Sequence, residues 1–109
     1  MELLTKALRG QLPPLYAQEH EADPLVICKF FTPDSSWSWY PLEFDGEDVF
    51  FGLVIGLESE LGYFSLSELQ AVRGPLGLPI ERDLHFKARG PISRYIEAAN
   101  KADCIVEDV

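Results

Sequence analysis

The side chains able to do chemistry in this chain are few and scattered. His20 and His85 stand 65 residues apart, and the stretch "HEADP" after His20 lacks the second histidine that a zinc-binding helix would need. Cys28 and Cys104 have no metal-ligand spacing, and Cys28 sits in the apolar run "LVICKFF", where a thiol is expected to be buried. Glu43, Asp45, Glu47 and Asp48 crowd around Gly46, yet they do not follow the twelve-residue ligand spacing of a calcium loop. They are expected to form an acidic surface at a hairpin tip. Neither Ser35 nor Ser36 lies in a Gly-x-Ser-x-Gly elbow, and "GPLGLPIERD" has prolines where a phosphate loop needs Lys and Ser or Thr. No catalytic residue, metal or cofactor is assigned, and the chain leans away from being an enzyme.

Binding chemistry has better candidates. "FFTPDSSWSWYPLEF" concentrates both tryptophans around a polar turn. Asp34, Ser36, Trp37 and Trp39 are the candidate contacts there. Arg73 and Arg82, each in an apolar or acidic setting ("AVRGP", "IERDL"), are candidate guanidinium groups facing a cleft beside that turn. Of the two indoles, Trp37, nearer the turn, is expected to be the more exposed.

Elements that would position these groups follow from the apolar pattern. Thr5 can cap a short helix that Pro13-Pro14 stops. Leu25 to Phe31 reads as a central strand, and "WSWYPLEF" as a second. Its alternation puts Trp37 and Trp39 on one face and Tyr40, Leu42 and Phe44 on the other, while Pro41 implies an edge or a bulge. Asp45-Gly46 turns into "VFFGLVIGL", whose Gly52 and Gly56 imply a bulge or close contact with a large group such as an indole. "ESELG" reads as a turn before a strand beginning "YFSL". A capping box then starts a helix at Ser65 or Ser67, ended by Gly74-Pro75. "IERDLHF" alternates as a fifth strand, and Gly90-Pro91 opens a last helix over about 91–102. The fold class is α+β: one domain over 1–109, an antiparallel four- to five-stranded meander with helices packed on it.

Bulk charge limits the partners. Eighteen acidic and nine basic residues give a net charge of −9. Phosphate backbones and anionic membranes are bound by Lys and Arg, so direct nucleic-acid or membrane binding is disfavoured. A basic protein surface suits this charge. With neither an apolar run of membrane length nor a signal-peptide pattern, the expected location is the cytoplasm.

The stretch from "KFFTPDSSWSWY" through "GYFSLSEL" to "VRGPLGLPIERDLHF", with "LLTKALRGQLPPLYAQE" before it, resembles a family of small bacterial proteins borne on mobile elements and catalogued as domain of unknown function 2958. The resemblance covers residues 3–87, leaving the last helix as an extension. It implies one intact domain and a mobile-element origin, and brings no catalytic residues. Three functions are carried forward from these readings. The first is a non-catalytic protein-binding accessory protein, with anti-defence inhibition (anti-CRISPR or anti-restriction) as its context. The second is a small-ligand binder or enzyme with a pocket near the Pro33–Trp37 turn. The third is a subunit that forms a homodimer through an edge strand.

Overall fold

The computed structural model describes residues 3–16, 26–84, 86, 91–93 and 95–96. Helix α1 spans Lys6–Gln11; the Thr5 side chain accepts from the Leu8 amide and so caps it. The chain then runs through β1 (Phe30–Phe31), β2 (Ser38–Phe44), β3 (Val49–Ile55) and β4 (Ser59–Ser65) to helix α2 (Leu66–Ala71) and β5 (Glu81–Arg82). The strands form one antiparallel sheet in the order β4-β3-β2-β1-β5. This is the expected α+β meander, with β5 returning to pair beside β1.

Pro41 shapes the middle of the sheet. The β2–β3 register shifts between Pro41 and Glu43, so β2 carries a bulge there. Gly52 lies opposite, and a Cβ on it would fall 2.2 Å from the Tyr40 carbonyl oxygen. Strand pairing of β1 with β2 stops at Phe30 and Trp39. Continuing that register would set Cys28 opposite Pro41, which has no N–H to give the ladder. That explains why β1 has two residues rather than the seven expected from Leu25 to Phe31; Leu25 itself lies outside the described residues.

The bulge also changes the faces. Trp39, Phe44 and Phe50 belong to one core, while Tyr40, Leu42 and Leu53 belong to the other. Phe44 was expected beside Tyr40 and Leu42; the extra residue in β2 turns it to the Trp39 side. There its ring stacks on Phe50 at 4.7 Å, and Phe50 also packs against Phe30 and Phe64 at 5.9 and 5.3 Å. Burying a side chain the size of Phe50 contributes about 2–3 kcal/mol.

Both faces are covered over their cores. Leu3, Leu4 and Leu12 flanking α1, with Leu66 and Leu69 of α2 and Ile80, close the Trp39 face. Val26, Ile92 and Tyr95 close the Tyr40 face, and Ile92, Ser93, Tyr95 and Ile96 are helical. Beyond Ile96 the expected last helix falls outside the described residues.

Strand β4 begins at Ser59, inside the stretch expected to be a turn. The turn is shorter, closed by the Gly56 amide donating to the Glu58 carbonyl. As an edge strand, β4 can place Glu60 in water without cost to the core. Ser65 caps α2 by accepting from the Glu68 amide, as the capping-box pattern implies.

Candidate functional site at the loop end of the sheet

Three loops meet at one end of the sheet. Phe31 pairs with Ser38 and with Glu81, and Ser38 pairs with Ile55. The β1–β2 turn (32–37), the β3–β4 turn (56–58) and the loop before β5 (72–79) therefore leave the sheet on the same side.

Within the first turn, Thr32 is the organiser. Its amide donates to the Trp37 carbonyl at 3.1 Å, and its hydroxyl accepts from the Trp37 amide at 3.2 Å. Ser35 bonds the Thr32 hydroxyl and accepts from the same Trp37 amide. Asp34 is thereby free to reach across to the loop before β5. Its Oδ2 accepts from the Leu76 and Leu78 amides at 2.8 and 3.4 Å. Oδ1 is buried without a hydrogen-bond partner and lies against Gly74, where a Cβ would meet it at 1.6 Å. Glycine at 74 thus lets the carboxylate tie the two loops together.

Trp37 is 40% exposed and Trp39 8%, so the indole nearer the turn is the more open one, as expected. The two rings stack at 6.0 Å. Trp37 lies over Gly56, whose missing Cβ would stand 2.4 Å from the indole. The large neighbour that this glycine implies in the sequence is Trp37.

The six binding candidates do not converge. Asp34, Ser36 and Trp37 share the first turn, with Ser36 exposed, while Trp39 is in the core. Arg73 donates to the Gln70 and Val72 carbonyls and closes the end of α2. Arg82 donates to the Leu3 carbonyl at 3.0 Å and lines a groove of about 340 Å³ with Thr5, Leu8, Cys28, Asp83 and Phe86. Asp34, Ser36, Trp37 and Arg73 are not part of that groove. Burial pushes the Cys28 thiol up to about 12, against a smaller downward pull from the Arg82 charge, so it is no nucleophile at neutral pH.

The acidic set divides as well. Asp45 accepts from the amides of Glu47, Asp48 and Val49, which hold its carboxyl below the usual carboxylate range. Asp48 binds the amide and hydroxyl of Ser67, anchoring α2 to the hairpin. Glu47 is exposed. Glu43 was expected on the acidic surface and is instead 6% exposed, turned in at the bulge to accept from the Tyr16 amide at 3.0 Å. Among the described residues, no group of three or more His, Cys, Asp or Glu could hold a metal ion. Nor is any described helix long and apolar enough to cross a membrane.

Sequence reasoning missed the apolar residues of the loops. Leu57 is 96% exposed and Leu76 80%, with Leu78 and Val72 also exposed beside them in the chain. The signal was present in "GPLGLP", where two leucines stand among glycines and prolines with no period that could bury them.

A family model described as "Protein of unknown function (DUF2958)" matches residues 3–106. The chain belongs to the DUF2958 family. The match takes in residues 88–106, which the resemblance seen in the sequence left outside. Every loop of the candidate site therefore lies within the DUF2958 domain. Comparison with curated proteins and with solved structures gave no match.

Proposed function

We propose that this DUF2958 protein is a non-catalytic protein-binding module, an accessory protein of a mobile genetic element acting in the cytoplasm. The observation that carries the reading is the exposed apolar set Trp37, Leu57, Leu76 and Leu78, presented by three loops at one end of the sheet. Large apolar side chains held out by ordered loops suit the centre of an interface, where aromatic anchors supply most of the energy. The net charge of −9 favours a partner with a basic surface, since opposite charge speeds encounter and rejects wrong partners. A nucleic-acid-processing defence complex has such a surface, and an anti-CRISPR or anti-restriction role is the context we propose.

A small-ligand pocket or active site at the Pro33–Trp37 turn has less support. The Asp34 carboxylate is committed to the Leu76 and Leu78 amides, and the Arg73 guanidinium to helix carbonyls.

Affinity capture from the native cells tests the reading, with Trp37→Ser and Leu76→Asp variants run beside the wild type. A partner recovered with the wild type and lost with both variants, at unchanged melting temperature, is the expected result. Plasmid or phage protection that falls with the same variants would tie the partner to defence. Recovery of no partner, with no protection against any defence system, overturns the proposal.

A further inference from the structure

At the other end of the sheet, the Tyr40 face continues into a row of side chains that α1 and α2, packed on the opposite face, leave open. Glu43 pairs with Phe51, and Phe51 with Tyr63, across β2, β3 and the edge strand β4. The Phe51 and Tyr63 rings lie 5.1 Å apart at 59°. Leu61, two residues before Tyr63 on β4, is exposed on the same face.

A third ring joins this row from outside the sheet. Tyr16 has φ +68°, the left-handed region that a bulky residue rarely adopts. One hydrogen bond holds it there: its amide donates to the Glu43 Oε1 at 3.0 Å. Even so, the Tyr16 ring is largely in solvent. The backbone is strained to place an aromatic ring where it buries little, and such strain gathers at sites that bind. The Tyr63 hydroxyl is pushed up from its ordinary value, first by the neighbouring Tyr16 side chain, then by desolvation, and last by the Glu43 carboxylate. The Glu43 carboxylate is therefore felt at the ring cluster.

Three aromatic rings beside a buried carboxylate favour one chemistry. Ring faces are negative and attract a cation, and a nearby carboxylate adds to the attraction. A planar guanidinium can stack on a ring and also bond the hydroxyls, with the buried acid behind them adding attraction. We propose that Tyr16, Phe51 and Tyr63, backed by Glu43, form a recognition site for an arginine side chain of a basic protein partner. For the existence of that partner the inference rests on the protein-binding reading. Binding of free arginine needs no partner, so either idea can fail alone.

The test is an NMR titration of the whole protein with N-acetyl-arginine methylamide, with the neutral citrulline analogue as control, at about 150 mM salt to screen diffuse attraction. Saturable shifts confined to Tyr16, Phe51, Leu61, Tyr63 and their neighbours, absent with citrulline, are expected. Tyr63→Leu keeps apolar area and removes the phenol, and is expected to weaken binding about two- to fivefold. Tyr16→Gly relieves the left-handed backbone, so it is expected to keep the melting temperature while weakening arginine binding by a similar factor. Shifts spread over the acidic surface, equal shifts with citrulline, or affinity unchanged in both variants overturns the proposal.

Discussion

Replacing Gly74 by alanine tests how the loop end is held together. An unmoved methyl carbon would lie 1.6 Å from Asp34 Oδ1 and 2.3 Å from its Cγ, so the carboxylate or the loop must withdraw. Withdrawal gives up the bonds from the Leu76 and Leu78 amides. A hydrogen bond to a charged acceptor contributes about 1.5–3 kcal/mol, but the Leu78 bond is long and Asp34 is half-exposed, so the expected loss is about 1–3 kcal/mol in all. For a domain of this size that lowers the thermal midpoint by roughly 5–15 °C. Asp34→Ala loses the same bonds, and in that background the added methyl meets no carboxylate. The second substitution should then be neutral or slightly stabilising, because alanine restricts the unfolded chain more than glycine does. Urea unfolding of the wild type, both single variants and the double variant closes the cycle. Additive losses, or a Gly74→Ala variant as stable as the wild type, would refute the Asp34 tie.

Three further outcomes follow from single residues. Asp45 has a carboxyl lowered from 3.8 by three amide bonds, so its contribution to stability is present above the unfolded value and is lost as pH falls through the folded one. Thermal midpoints measured below about pH 4 should fall less steeply for Asp45→Asn than for the wild type. Gly56→Ala places a Cβ 2.4 Å from the Trp37 ring, so the indole must leave its stack on Trp39. Tryptophan emission should shift to the red and near-ultraviolet dichroism should weaken, and unchanged spectra would contradict the packing. In a Cys104→Ser background, Cys28 should resist a thiol reagent at about pH 8 until denaturant is added, as its burial requires; rapid labelling of the folded protein would contradict it.

What could be read from the sequence was mostly local. Thr5 and Ser65 cap their helices because a hydroxyl three residues before an amide needs no tertiary information. Gly56 signalled a large neighbour, and Pro41 signalled the bulge. The consequences of that bulge were not legible, since one extra residue reverses every later side chain of β2. Phe44 moved to the Trp39 core and Glu43 went inward to meet Tyr16. The candidate site was legible only in part for a related reason. Asp34 and Trp37 lie where the turn puts them, but the partners of Asp34 are 42 and 44 residues away, and no local pattern encodes them. Arg73 and Arg82 look alike in sequence, yet one closes a helix and the other reaches the Leu3 carbonyl.

We propose that the loop end, with its exposed leucines and Trp37, meets a protein partner. The most direct measurement is photocrosslinking in the native cells, with a benzophenone amino acid placed at Leu57, at Leu76, or at Lys6 on α1 as a control. A discrete adduct from positions 57 and 76, lost with Trp37→Ser and absent from position 6, is the predicted result. No adduct from either loop position, or the same adduct from position 6, would rule out a partner at the loop end.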